Sequence, residues 1–168
     1  DKLALASYFA EVTEKTVQEG EVCPDILSLL LNCLYALDTL DKPLEQVKAV
    51  FQLRLLTLTG LAPLLDTCVV CGNPQPEEPR LHLLQGVLHC AACRTQVGDG
   101  VSMPLSPAAL AAARYIVAGE AKKLFSFSLT PEACKQLDQV TEAFLMTQQE
   151  RGFRTLDYYK QLRRQSFS

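Results

Sequence analysis

Apolar residues recur at helical spacing over most of the chain, and this pattern predicts a largely helical protein. The first predicted helix runs from Leu3 to Glu19 and ends at Gly20. Its predicted inward stripe is formed by Leu3, Ala6, Ala10, Thr13 and Val17, and is widened by Phe9 and Val12.

Two further helices are predicted in the first half of the chain, each beginning at a proline. The helix from Pro24 to Leu40 is apolar on nearly every face, which predicts that it is the buried central helix. The helix from Pro43 to Thr59 ends at Gly60. Its predicted inner face contains Leu44, Val47, Val50, Phe51, Leu55 and Leu58.

The second half of the chain repeats this punctuation of proline starts and glycine stops. One helix is predicted from Pro107 to Ala118, and a longer one from Pro131 to about Arg151, ended by Gly152. A last short helix is predicted after Thr155.

Strand character is concentrated in one place, between the two helical halves. Leu81–Leu84 and Val87–Cys90 flank Gln85-Gly86, a pair typical of a two-residue hairpin turn. We therefore expect a mainly α fold: a helical bundle with an inserted four-cysteine zinc finger that contains a short β-hairpin. The predicted parts are a helical part A (1–65), the finger (66–100) and a helical part B (101–168) that packs on part A.

The finger is predicted from two pairs of cysteines, Cys68/Cys71 and Cys90/Cys93, which are separated by 18 residues. Each C-x-x-C turn presents two sulfurs to one ion, and this spacing is typical of a four-thiolate zinc site. Gly72 follows the first pair, where such a turn often needs a positive φ. A metal-free cysteine loop and a redox dithiol are the alternatives, although a redox site needs only one pair. His82 and His89 can in principle replace a thiol but are expected to be strand side chains.

A zinc ion held by four thiolates has no open position for an activated water, so we expect one structural zinc ion rather than a catalytic one. The zinc deaminase signature is absent, as are a glycine-rich phosphate loop, a G-x-S-x-G elbow and an H-E-x-x-H helix. The residues alone therefore predict a helical interaction domain with a structural zinc ion and do not specify its function.

Composition places the chain among reduced intracellular domains. It has 168 residues, 48% of them hydrophobic, and seven cysteines, an odd number that argues against a disulfide scaffold. Cys23, Cys33 and Cys134 fall in helical patterns and are expected to be buried as small apolar residues. No secretory signal is recognisable, and the longest uncharged apolar stretch has 12 residues, below the ~18 that span a membrane. We expect a cytoplasmic protein without membrane contact.

Charge is unevenly distributed around a formal net value of −3. Residues 1–46 carry a net charge of −6, whereas residues 150–168 carry +3. The chain as a whole therefore does not have the basic character of an autonomous nucleic-acid binder, and only its C-terminal end has the required sign.

The junction between the third helix and the cysteines carries a family resemblance. The segments Phe51–Leu56, Gly60–Pro63 and Leu65–Gly72 resemble the bacterial DNA repair proteins of the RecO family. Weaker matches occur at Leu3–Glu11, Leu29–Asn32, Cys90–Arg94 and Gly152–Leu162. The resemblance is to the C-terminal helical and zinc-finger part of that family and covers nearly the whole chain.

The resemblance implies a non-enzymatic mediator of DNA repair and homologous recombination, located in the bacterial cytoplasm at the nucleoid. Such proteins bind and anneal single- and double-stranded DNA, and load the recombinase through contacts with RecR and with the single-stranded-DNA-binding protein. Much of their DNA contact is made by an N-terminal OB-fold, which these 168 residues do not include.

Several basic residues are candidates for contacts with DNA phosphates or with the acidic C-terminal tail of the single-stranded-DNA-binding protein. A solvated face with favourable helix-end charges is the alternative explanation for them. Tyr158 is a candidate for base stacking, whereas Tyr159 is expected to pack on the core. The candidate cations are Lys48, Arg54, Arg151, Arg154, Lys160, Arg163 and Arg164.

Two other classes of function fit parts of the sequence. Fingers with this cysteine spacing occur in GTPase-activating proteins, which supply an arginine in trans, and Arg94 is the residue placed for that role. The other alternative is a purely structural helical scaffold.

Overall fold

The computed structural model describes residues 1–165 and confirms a mainly helical fold with a small antiparallel sheet. The three helices before the sheet are α1 (Lys2–Thr16), α2 (Pro24–Thr39) and α3 (Leu44–Leu58). The three that follow it are α4 (Pro107–Ala118), α5 (Pro131–Gln149) and α6 (Arg154–Gln165). Short 3-10 helices lie at Ala91–Gln96 and Ala121–Lys123.

The sheet has three strands, β1 (Arg80–His82), β2 (Val87–His89) and β3 (Ser102–Pro104), in the order β2-β1-β3. Two sequence predictions were incomplete here. The hairpin loop has four residues, Leu83–Gly86, rather than two, because the ring of His82 accepts a hydrogen bond from the backbone N–H of Gln85 and closes a longer turn. The third strand was missed, since three residues give no readable alternation.

The central helix is α3 and not α2, so that prediction was wrong. α3 packs on α1, α2, α4 and α5, and ten of its 15 side chains are buried. Its polar residues Lys48 and Gln52 are buried with partners, which a count of apolar residues does not reveal. α2 instead exposes a stripe of Leu27, Leu31 and Tyr35.

The inward face of α1 is also rotated from the predicted stripe. Leu3 is 82% exposed, whereas Leu5, Tyr8 and Phe9 are fully buried. Phe9 stacks on Phe51 with ring centroids 4.2 Å apart. Large aromatic side chains with matching partners therefore decide which face of α1 is buried, and small alanines do not.

Most helix boundaries lie within a few residues of the predicted ones. α1 ends at Thr16 rather than Glu19, and α5 ends at Gln149 because Glu150 adopts a left-handed conformation (φ 52°) two residues before Gly152. None of the described helices is long and apolar enough to cross a membrane.

The two helical segments pack directly on each other: α3 contacts α4 and α5, and α1 contacts α6. Apolar residues of the sheet region belong to the same core as the helices, among them Leu65, Leu81, Leu88 and Leu105. β3 belongs to the sheet although it lies in the segment assigned to part B. The three-part division of the chain stays a prediction, and its last three residues lie outside the described range.

Candidate metal centre and a charged groove

The four predicted ligands come together at one end of the sheet. Cys68 and Cys71 lie in the turn that precedes β1, Cys90 directly follows β2, and Cys93 lies in the following 3-10 helix. Gly72 has φ 73°, as predicted for the residue after the first pair. Cys68 and Cys90 are buried, whereas Cys71 is exposed.

The sulfur geometry fits a single tetrahedral ion. All four Sγ atoms lie within 4.8 Å of one another, and Sγ of Cys71 is 3.7 Å from Sγ of Cys90. A zinc ion with Zn–S bonds of about 2.3 Å requires edges of about 3.8 Å between sulfurs. The donor set and its spacing are therefore suited to such an ion, and four thiolates complete its coordination.

Backbone donors prepare the site for a thiolate. Burial opposes ionisation of Cys68, but backbone N–H groups of Cys71, Cys90 and Val70 hold its pKa at about 6, below the ordinary thiol value. Burial and hydrogen bonds from neighbouring sulfurs raise the pKa of Cys93 to about 12, and the pKa of Cys90 is raised by the same causes. The backbone donors around Cys68 therefore favour its thiolate form.

Both histidines are buried strand residues outside the thiol cluster. His89 Nδ1 lies 2.8 Å from the carbonyl oxygen of Cys90, and its Nε2 lies 2.8 Å from Oγ of Ser102. Because a carbonyl only accepts, Nδ1 of His89 carries the hydrogen and Nε2 accepts from Ser102. His89 therefore fixes the backbone of Cys90, a candidate ligand, and lies outside the cluster of candidate ligands itself.

Arg114 on α4 connects the helical body to the first cysteine turn. Its Nε donates to the carbonyl oxygen of Leu65 (2.8 Å), and its Nη2 donates to those of Asp66 (3.2 Å) and Pro74 (2.9 Å). These carbonyls lie on both sides of the Cys68/Cys71 turn. Sequence analysis did not single out Arg114, because an arginine in a helix gives no sign of which distant carbonyls it meets.

The remaining cysteines lie apart from the cluster. Cys33 and Cys134 are buried as expected; burial raises the pKa of both thiols, that of Cys134 to about 11. Cys23 precedes α2 and is only half-buried, so its predicted burial within a helix was wrong.

A groove of about 680 Å³ lies where α3, α5 and α6 meet. Its apolar lining includes Leu129, Pro131, Cys134 and Tyr159. Five basic and three acidic side chains line the rest of it: Lys48, Lys135, Lys160, Arg163 and Arg164, with Glu45, Asp138 and Glu142.

Ion pairs organise the inner part of this groove. Lys48, nearly inaccessible to solvent, lies 3.1 Å from Oδ1 of Asp138 and also pairs with Glu142, which in turn pairs with Lys160. Burial raises the pKa of Asp138 to about 6, although Lys48 opposes that rise. Burial also opposes ionisation of Glu142, but Lys48 and Lys160 hold its pKa below the usual value.

The outer part of the groove joins the two ends of the chain. The guanidinium group of Arg163 on α6 pairs with the carboxylate of Glu45 on α3, and its Nη1 lies 3.5 Å from Oδ2 of Asp1. Lys135 on α5 forms no ion pair with any residue of the described range 1–165. It therefore presents to the groove a positive charge that has no ion-pair partner among those residues.

The predicted cations fall into three places. Lys48, Lys160, Arg163 and Arg164 line the groove. Arg54 lies away from it and donates to the carbonyls of Ile116 and Val117 at the end of α4 (3.1 Å each). Arg151 and Arg154 are exposed at the start of α6. Their binding roles stay predictions.

Other candidates are placed as follows. Tyr159 is buried, as expected, and Tyr158 is 56% exposed. Arg94 turns back onto the finger, where its guanidinium donates to the carbonyls of Gly98 and Gly100. Lys135 and Glu45 were missed as groove residues; the spacing of Pro131, Lys135 and Asp138 on one face of α5 was the signal available in the sequence.

Comparisons with known proteins agree with the resemblance found in the sequence. Residues 1–157 match the family model described as "Recombination protein O C terminal". Proteins named DNA repair protein RecO are similar over most of the chain. That of Acetivibrio thermocellus is 27% identical over 164 residues, which are 98% of this chain and 64% of that protein. That of Alkaliphilus metalliredigens is 25% identical over 162 residues, 96% of this chain and 65% of that protein.

A third relative, from Anaeromyxobacter sp. strain Fw109-5, is 33% identical over 146 residues, which are 86% of this chain and 56% of that protein. The chain thus spans less than two thirds of the length of these relatives. With a family match over nearly its whole length, the chain belongs to the RecO family and corresponds to the C-terminal part of its members.

Proposed function

We propose that this chain is the C-terminal part of a DNA repair and recombination mediator that works by binding partners and DNA, without covalent catalysis. The family match over residues 1–157 carries the proposal. In this role the chain acts in the bacterial cytoplasm at the nucleoid, together with RecR and the single-stranded-DNA-binding protein.

The metal in this proposal is one structural zinc ion held by Cys68, Cys71, Cys90 and Cys93. Four sulfurs within 4.8 Å of one another support it, since thiolate donors in a tetrahedron favour zinc. The ion would supply a cross-link between the two cysteine turns. It would not supply an activated water, because the protein fills all four positions.

The groove between α3, α5 and α6 is the proposed site for the acidic tail of the single-stranded-DNA-binding protein. A tail that ends in an apolar residue and a free carboxylate needs a nonpolar floor beside positive charge. Leu129, Pro131 and Tyr159 provide such a floor, while Lys135 and Lys160 provide charge within the same groove. Each contact to a carboxylate would be charge-assisted and weakened by salt.

A fluorescent peptide with a run of aspartates and an apolar C-terminal residue tests this site. Lys135→Ala should weaken its binding by up to about fivefold, because Lys135 contributes charge without having to break a pair. Lys122→Ala is the matched control, since Lys122 is exposed and lies outside the groove. Equal affinities for wild type and K135A, or no binding by wild type, would contradict the assignment.

The proposed DNA contact is the exposed surface at the start of α6, formed by Arg151, Arg154 and Tyr158. The arginines would release counterions from phosphates, and the tyrosine would stack on an unpaired base. This contact supplements the DNA binding of the N-terminal OB-fold that the family resemblance implies for the whole protein.

Single-stranded DNA binding at several salt concentrations tests this surface. The slope of log affinity against log salt concentration gives the number of counterions released on binding. The variant R151A/R154A should reduce that number by up to about two, whereas K122A/K123A should not change it. Tyr158→Ala should weaken binding, with Tyr35→Ala as the control, because Tyr35 on α2 is equally exposed at 59%. Equal affinities of the two tyrosine variants for single-stranded DNA would show that Tyr158 is not part of the site.

A further inference from the structure

The groove that we assign to an acidic tail contains the protein's own carboxylates on its cations. Glu45 pairs with Arg163, and Glu142 pairs with both Lys48 and Lys160. An incoming carboxylate must therefore compete with groups that are already bound there. The two resident glutamates differ in how easily they can leave.

Glu142 is held in place by the core. Its side chain is 12% exposed and it compensates the buried ammonium group of Lys48, so its displacement would leave a buried charge with less compensation. Glu45 is 30% exposed and pairs with Arg163, itself 27% exposed, at the rim. Arg163 also lies beside Asp1, so it retains a nearby negative charge if Glu45 moves away. Of the two carboxylates, Glu45 can leave at the lower cost.

We propose that Glu45 is a resident competitor: in the unbound protein it occupies the place on Arg163 that a partner's carboxylate takes in the complex. This inference rests on the proposed function of the groove as an acidic-peptide site. It makes Glu45 a specificity-determining residue, because it sets how much negative charge a peptide must bring.

The selectivity follows from the balance of charges. A peptide with one carboxylate exchanges one ion pair for another at Arg163 and gains little electrostatic free energy. A peptide with several carboxylates also reaches Lys135, which forms no ion pair with any other described residue, and the exposed side of Lys160. These additional contacts of the peptide's carboxylates form without breaking an ion pair within the protein. The groove therefore accepts acidic tails and discriminates against merely apolar C-termini.

The test compares two fluorescent peptides with the same apolar C-terminal residue and free carboxylate. One carries a run of aspartates, and in the other these are replaced by asparagines. Glu45→Gln should bind the single-carboxylate peptide about fivefold more tightly than wild type does, which corresponds to the free energy of one exposed ion pair. The ratio of the affinities for the acidic and the single-carboxylate peptide should therefore be smaller in this variant than in wild type.

Glu77→Gln is the matched control, because it makes the same change in net charge on the exposed finger, away from the groove. A double-mutant cycle adds a second criterion: in an Arg163→Gln background, Glu45→Gln should have no effect on affinity. Circular dichroism verifies that each variant keeps its helical content.

The outcomes separate the two levels of the proposal. If wild type binds the acidic peptide but E45Q binds both peptides as wild type does, Glu45 is not a competitor while the groove assignment stands. An equal gain in E77Q, or a gain that persists in the R163Q background, also overturns the role of Glu45. If neither wild type nor E45Q binds either peptide, the groove assignment itself fails.

Discussion

The ammonium nitrogen of Lys48 lies 3.1 Å from Oδ1 of Asp138, and both side chains are largely shielded from solvent. That oxygen accepts no well-directed hydrogen bond from any described residue, so the ion pair is its main compensation. Burial nevertheless raises the pKa of Asp138 from 3.8 to about 6. Between about pH 4 and 6, the native protein thus binds a proton at this site that the unfolded chain has released.

The expected consequence is a pH-dependent contribution to stability. Between about pH 4 and 6 the native state holds more protons at Asp138 than the unfolded state, so this contribution is complete below pH 4 and is lost as pH rises through 6. Asp138→Asn removes it. The free energy of unfolding of the variant relative to wild type should therefore rise across this window, by up to about 3 kcal/mol.

Urea unfolding at a series of pH values measures this difference. Asp157→Asn on the exposed face of α6 serves as the control. Its difference in free energy of unfolding from wild type should not rise between pH 4 and 6. A flat difference between Asp138→Asn and wild type from pH 4 to 7 would contradict the shifted ionisation of Asp138.

Removal of the proposed zinc ion should loosen the cysteine turns before the helices. Zinc binding in small fingers is worth ~10–16 kcal/mol, comparable with the ~5–15 kcal/mol net stability of a domain. Leu81 and Leu88 of the sheet, however, belong to the common core and keep their apolar contacts without an ion. A chelator or Cys71→Ser should thus increase amide exchange at residues 66–76 and 90–100 while most of the far-ultraviolet helical signal remains.

Cys23→Ser is the control for this experiment, because Cys23 is half-buried and lies outside the thiol cluster. It should leave the zinc content at one ion per chain. Simultaneous loss of the helical signal and of protection in the finger would show that the two parts do not behave separately.

Arg114 should determine how firmly the first cysteine turn is attached to the helical body. Arg114→Met keeps the aliphatic stem but removes the donors to the carbonyls of Leu65, Asp66 and Pro74. We expect the free energy of unfolding to fall by about 1–3 kcal/mol and amide exchange at residues 64–76 to become faster, with the metal content unchanged. Arg151→Met, at an exposed site, should change neither the free energy of unfolding nor the amide exchange. If Arg114→Met instead releases the metal, the arginine supports the ligand geometry itself.

A buried hydrogen-bond relay joins three helices, and its central residue should be costly to replace. Gln52 on α3 donates to the hydroxyl of Tyr8 (2.9 Å) and accepts from that of Thr141 (2.9 Å). Gln52→Leu leaves both hydroxyls without this partner. We therefore expect the free energy of unfolding, measured by chemical denaturation, to fall by about 2–4 kcal/mol. Gln161→Leu on the exposed face of α6 should cost almost nothing, and an equally small effect of Gln52→Leu would show that the relay is dispensable.

The sequence predicted those features that depend on neighbouring residues. Paired C-x-x-C turns identified the thiol cluster, Gly72 carried the expected positive φ, and prolines and glycines located most helix ends. Failures arose where distant partners decide. α3 became the central helix because Lys48 and Gln52 find buried partners on α5 and α1, and no local pattern reveals such pairs.

The ion pairs of the groove could not be predicted from the sequence for the same reason. Glu45 and Arg163 are separated by more than a hundred residues along the chain and meet only in the folded structure. Local charge counting placed the cations at the C-terminal end but could not show which of them already face a carboxylate. β3 was missed because its three residues take their conformation from pairing with β1.

The enclosure of α3 by helices from both ends of the chain has a consequence during synthesis. α5 covers α3, and Phe153, just before α6, packs edge-on against the ring of Tyr8 (centroids 5.8 Å apart). Since these covering segments leave the ribosome after α3, the apolar surfaces of α1 and α3 stay exposed until α5 and α6 have been synthesised. A message that stops before α6 would yield a product prone to aggregation and proteolysis.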